Sequence, residues 1–245
     1  SSALRNNTTA DANTAVGKNA LLANTTGASN IAVGAYALDS NTTGSNNTIL
    51  GYTALGANTA GSNNVAIGYQ ALYTAGNIGN MTAVGYKALY ANADDGYSNT
   101  AVGYLWLTAN TTGDENTAVG RVSLEANTTG SNNTAVGYAA LDANTTANYN
   151  SAFGSHSLQD NTTGSYNTAV GYHALSANTT AANNVAMGYH AMNTNTTGNQ
   201  NVAVGTEALE ALTTANNNVA IGFRSLHVAT TGAGNHAIGG YALQS

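Results

Sequence analysis

Asn133-Thr134-Ala135-Val136-Gly137-Tyr138, completed by Asn144-Thr145-Thr146, is the phrase from which this chain is built. It returns at Asn150, Asn167 and Asn184, and fourteen glycines fall in phase from Gly17 to Gly239. Each step is 17 residues except the 18 between Gly85 and Gly103. A fixed period of this length is the mark of a solenoid, in which a coil buries its apolar residues only against its neighbours. The periodicity predicts an all-β, parallel β-solenoid of about 14 coils with a 17-residue repeat, a single domain over 1–245.

Read column by column, the residue before the glycine is always large and apolar, from Val16 to Ile238, and the fourth residue after it is Leu, with Met192 the exception. These two columns are expected to form the core. The β-branched residues around a small one in Asn-Thr-Ala-Val-Gly predict a short strand, and Gly, Asn and Thr density disfavours helix. Asn stands four before the glycine in every unit but that of Met81, so an amide ladder along the axis is expected. Asn24-Thr25-Thr26-Gly27 and its repeats carry tight-turn chemistry. One coil should run as strand, bend, second short strand and turn.

Two columns stay small. Ala stands two before the glycine except at Ile49, and Ala or Ser three after it except at Trp106. If neighbours of core residues point outward on a strand, persistent Ala there needs a second close surface. Either the coil is flattened so that both faces are buried, or another copy packs against it. A homo-oligomer is the expectation.

The 245 residues include no proline, no cysteine, only 7% charged residues and 42% hydrophobic ones. Disulfides and thiolate metal sites are excluded, and the in-register apolar positions argue against disorder. Net charge is −6, with the basic residues scattered singly, so there is no stripe to neutralise phosphates and nucleic acid is not an expected partner. No apolar run approaches a membrane span, so no membrane insertion is expected. Ala3-Leu4 and Ala242-Leu243 both lie mid-repeat, which predicts a segment of a longer fibre.

Asn64-Val65-Ala66-Ile67-Gly68 and Asn218-Val219-Ala220-Ile221-Gly222 resemble the repeat motif of YadA-like trimeric autotransporter adhesin heads. The phrase from Asn133 to Thr146 is also similar to repeats of bacteriophage tail-fibre proteins. The resemblance implies a left-handed parallel β-roll, three chains side by side as a homotrimer, and an adhesive fibre that is extracellular, on a cell surface or on a virion.

Candidate sites are few. His156, His173 and His190 stand two after the glycine in successive coils, with Glu207 and Arg224 continuing the column. Imidazoles so stacked suit a metal or anion, but the column is otherwise variable and reads equally as solvent-facing. Asp94 and Asp95 in the 18-residue unit, with Asp114 and Glu115 one coil on, offer carboxylates for calcium, against a solvated acidic bulge. No metal site is assigned to either group. Trp106 reads as a recognition anchor or as packing over that bulge. Tyr52, Tyr69, Tyr86 and Tyr104 follow the glycine in one column, a sugar-binding strip or a stiffening aromatic ladder. Acidic residues Asp39, Glu125, Asp142 and Glu210 sit singly in another column, and no nucleophile, base and orienter arrangement is legible. Neither enzymatic activity nor a cofactor is expected.

The function expected is a structural and adhesive fibre segment that displays a rigid repetitive surface to a cell-surface glycan or protein receptor. The alternatives are a self-assembling extracellular filament module and, from the paired threonines, an ice-binding solenoid.

Overall fold

The computed structural model describes residues 2–92, 97–104 and 107–243. The chain forms two compact units, Ser1–Val119 and Gly120–Ser245. The first carries β1 (Thr14–Val16), β2 (Ile31–Val33), β3 (Thr48–Leu50), β4 (Val65–Ile67), β5 (Thr82–Val84), β6 (Thr100–Val102) and β7 (Thr117–Val119). The second carries β8 (Thr134–Val136), β9 (Ser151–Phe153), β10 (Thr168–Val170), β11 (Val185–Met187), β12 (Val202–Val204), β13 (Val219–Ile221) and β14 (His236–Ile238). Within each unit every strand pairs in parallel with the next, in the register of the repeat: Thr14 opposite Ile31, Thr168 opposite Val185. Among the described residues there is no helix, and hence none long and apolar enough to cross a membrane. The architecture is a parallel β-solenoid.

Each strand ends at a glycine for two reasons. Gly171 has φ +133°, and a Cβ there would lie 2.5 Å from the carbonyl oxygen of Gly188 one coil on. The left-handed backbone and the close approach of the neighbouring coil both exclude a side chain.

The interior reverses one expectation. Ala, not Val, points inward along the strand: Ala32, Ala66, Ala135 and Ala203 are fully buried, whereas Val16 is 57% and Leu50 49% exposed. Alternation holds, but its parity is opposite to that inferred from side-chain size: the inward position carries a methyl group in every coil except that of Ile49, which is itself fully buried. The small columns therefore face the interior of their own coil, and their smallness gives no reason to place a neighbouring chain against them.

After the glycine there is one arc of turns rather than a second strand. Its third and fourth residues both point inward, as with Ala37 and Leu38, each fully buried. Strand alternation would forbid this; φ of +52° at Leu38 allows it. Tyr36 and Asn46 in the same coil are also left-handed. Such residues cost roughly 1–2 kcal/mol each, and here all three donate their N–H between coils: Tyr36 to Lys18 (2.8 Å), Leu38 to Ala54 (3.1 Å) and Asn46 to Ala28 (3.0 Å). The fourth-residue Leu column is the core, as expected, with Leu21, Leu89, Leu141 and Leu175 fully buried.

Two amide ladders, not one, complete the interior. In the ladder four before the glycine, Asn30 Oδ1 accepts the Asn47 backbone N–H at 3.0 Å. The Asn of Asn-Thr-Thr forms the second: Asn41 Nδ2 donates to Asn24 Oδ1 at 2.9 Å, and Asn161 Nδ2 to Asn144 Oδ1 at 3.0 Å. Both are buried, where an unpaired amide would be expensive. In one unit both ladders break together, where Ala75, Ile78 and Met81 are apolar and fully buried, whereas at Leu212 the second ladder stops alone and Asn218 continues the first. Met81 Sδ accepts the Asn99 backbone N–H at 3.4 Å, the role that Asn Oδ1 plays elsewhere.

Candidate functional site

With the inward columns fixed by packing, chemical variety collects where packing does not decide. The columns two and five residues after the glycine carry Tyr36, Lys87, His156, His173, Glu207 and Arg224 in one, and Asp39, Tyr73, Asp142, Glu210 and His227 in the other. The turn after the glycine brings the two columns together as one edge. His156 Nδ1 lies 2.8 Å from Gln159 Oε1, and the Lys87 ammonium stands 5.0 Å from the centre of the Tyr90 ring.

In the first unit an aromatic column, directly after the glycine, borders this edge. Tyr52, Tyr69, Tyr86 and Tyr104 stack face to face, with ring centres 5.5, 5.3 and 5.3 Å apart and planes within 13° of parallel. A ring face covered by the next ring is closed to a sugar, so between coils the strip offers edges and phenol hydroxyls. A better recess lies beside it. Gly56 stands in the fifth-residue column between Asp39 and Tyr73, and the side chain it lacks leaves an open groove of about 420 Å³ lined by Tyr36, Asp39, Tyr52, Thr53 and Tyr73. Partial burial pushes the Asp39 carboxyl above its ordinary range, against two backbone hydrogen bonds that lower it.

In the second unit the edge is imidazole and carboxylate. The rings of His156 and His173 stack at 4.6 Å, and those of His173 and His190 lie 5.4 Å apart and tilted. Stacking sets faces rather than nitrogens towards each other, and the Nδ1 atoms of His156 and His190 turn to Gln159 and Glu210. Burial, then the neighbouring His156 and His190, lower the His173 pKa. Asp142 is raised, first by burial and then by Glu125 and Asp160.

Further along, Glu210 is held at both oxygens, by His190 Nδ1 at 3.4 Å on Oε1 and by His227 Nδ1 at 3.2 Å on Oε2. Arg224 Nε donates to Glu207 Oε2 at 2.5 Å, a hydrogen bond that holds the Glu207 carboxyl below its ordinary range. One ligating atom each from Glu207, Glu210 and His227 lies within 4.8 Å of the others. Reading down single columns missed this group, since it joins Glu207 of the second-residue column to Glu210 and His227 of the fifth; the signal was the Glu207-x-x-Glu210 pair one period before Arg224-x-x-His227.

At the acidic corner, Asp114 Oδ1 accepts the Tyr97 backbone N–H at 2.6 Å and Glu115 is exposed. Asp94, Asp95 and Trp106 lie outside the described residues. Thr26 and Thr43, the second threonines of their turns, are exposed, while Thr25 Oγ1 donates to the Thr42 carbonyl at 3.0 Å. Only one hydroxyl of each such pair is therefore free to meet water as an array.

Fold and edge together define the class: a parallel β-solenoid with a constant interior and a chemically variable edge. No family model, curated protein or solved structure matches this chain.

Proposed function

We propose that this chain is a structural and adhesive fibre segment, outside a cell or on a virion, whose rigid coils present the variable edge to a surface glycan or protein receptor. The observation that carries the reading is the division of labour within each coil: inward positions repeat, while the second and fifth residues after the glycine change from coil to coil. Weak contacts repeated along a stiff support gain avidity without any single strong site. The groove at Gly56 supplies one such contact, with aromatic faces at its walls and a carboxylate at Asp39.

Copies stand side by side, as a homotrimer, through the strand face. That face is uncharged over most of its length and keeps apolar groups in water, Phe153 at 42% and Met187 at 41% exposure among them. Covering them gains about 25 cal/mol per Å² of apolar surface.

Sedimentation of the chain, followed by binding to a glycan array and to whole cells, tests both halves. The expected mass is that of a trimer, independent of concentration and reduced by Met187→Lys; Tyr36→Ala with Tyr73→Ala should lower retention on the array or cells with the mass unchanged. A monomer would overturn the side-by-side packing. Mass that grows with concentration would point to a filament, ice shaping to an ice binder, and absence of retention on any surface would overturn adhesion.

A further inference from the structure

We infer that Glu207, Glu210 and His227 form a binding site for one divalent transition-metal ion, zinc being the natural occupant. This goes beyond the adhesive reading and does not depend on it. Three observations converge on these residues. Their ligating atoms already lie within 4.8 Å of one another, so modest side-chain rotation closes them round a single ion with bonds of about 2.0–2.2 Å. One imidazole nitrogen and two carboxylates make a donor set of the borderline kind that Zn²⁺ accepts and Ca²⁺ does not favour. The outer support is in place as well: His190 Nδ1 sits 3.4 Å from Glu210 Oε1, the oxygen that His227 does not face, so it fixes the carboxylate as an outer-shell partner does. All four side chains are partly exposed, which leaves an approach for the ion and room for a water as fourth ligand.

Arg224 is the competitor. Its Nε is bonded to Glu207 Oε2, so the ion competes with a guanidinium for the negative charge of one of its ligands. That makes the site distinguishable from an ordinary ion-pair cluster, because removing this cation should strengthen metal binding.

Zinc titrated calorimetrically into the chelator-treated chain tests the inference. The expected result is one saturable site per chain, weakened at least about tenfold by His227→Ala or by Glu210→Gln, weakened about tenfold by His190→Ala, and tightened by Arg224→Gln. Far-UV circular dichroism establishes that each variant retains the wild-type fold. A Co²⁺-loaded chain should show visible ligand-field absorption that disappears in His227→Ala. The inference is overturned if zinc gives no saturable binding, if His227→Ala and Glu210→Gln bind as wild type does, or if binding is instead lost with His156→Ala or His173→Ala.

Discussion

Asn184 and Asn195 donate to the same oxygen: both Nδ2 groups end on the Gly198 carbonyl, each at 2.9 Å. The arrangement recurs at Gly44, reached from Asn30 at 2.9 Å and Asn41 at 3.0 Å, and at Gly164, reached from Asn150 and Asn161 at 2.9 Å each. One carbonyl with two lone pairs thus ties the two amide ladders together in the coils that carry both asparagines. Buried amides without partners cost far more than paired ones return, so a ladder can end where an apolar residue such as the buried Leu212 takes the next place, but is costly to interrupt within its run.

Asn161→Ala tests that dependence. It removes one donor from the Gly164 carbonyl, takes the ladder partner from Asn144 Oδ1, and leaves Asn178 Nδ2 with its bond to the Ala181 carbonyl alone. A loss of about 1–3 kcal/mol or more is expected, measured by denaturant unfolding, against a negligible loss for the exposed Thr163→Ala. Equal losses would show that the ladder contributes nothing.

The parity of the strand gives a second test. Ala169 is fully buried and Val170 partly exposed. Ala169→Leu should therefore cost about 1–3 kcal/mol by overpacking, while Val170→Thr should change the melting temperature little. The opposite order would return Val to the interior.

Gly171→Ala should destabilise by several kcal/mol. The residue combines φ of +133° with a Cβ position 2.5 Å from the Gly188 oxygen, and left-handed strain alone is worth about 1–3 kcal/mol. An Ala variant that melts as wild type does would mean that the coils can separate locally without cost.

Stability should fall as the solution is acidified past neutrality, through His173. Burial and the flanking His156 and His190 lower its pKa in the folded chain, so the unfolded chain takes up the proton first. The loss begins as pH drops through the ordinary histidine value of about 6.5 and levels off below the folded pKa. The melting temperature of wild type should decline from pH 8 to pH 5 more steeply than that of His173→Asn. Parallel profiles would remove His173 as the cause.

Period, strand position, the Leu core and the first Asn ladder were legible in the sequence, because each is a single residue type recurring in phase. Direction along the strand was not. Hydropathy ranks Val above Ala for burial, yet it is Ala169 that faces inward and Val170 that stays partly exposed. Nor does Leu38 betray its left-handed backbone, the reason Ala37 and Leu38 can both face inward. Asn24-Thr25-Thr26-Gly27 carried turn chemistry strong enough to hide a second buried ladder. The Glu210 pairing with His190 was hidden differently, since it crosses from the second-residue column to the fifth between coils, while that with His227 runs down the fifth-residue column, in which residue type varies along the chain.

Asn110 Nδ2 donates to Asn92 Oδ1 at 2.7 Å across a separation of 18 residues, and Thr82 still faces Thr100 in the sheet. The extra residue of that unit is absorbed without a slip on either side. Sequence spacing is therefore a consequence of the lattice of contacts and not its cause. A unit that is one residue longer while Asn92, Thr82 and Thr100 keep their partners in the neighbouring coils is a natural graft point, where a foreign peptide could be inserted and displayed while the coils before and after it keep their places.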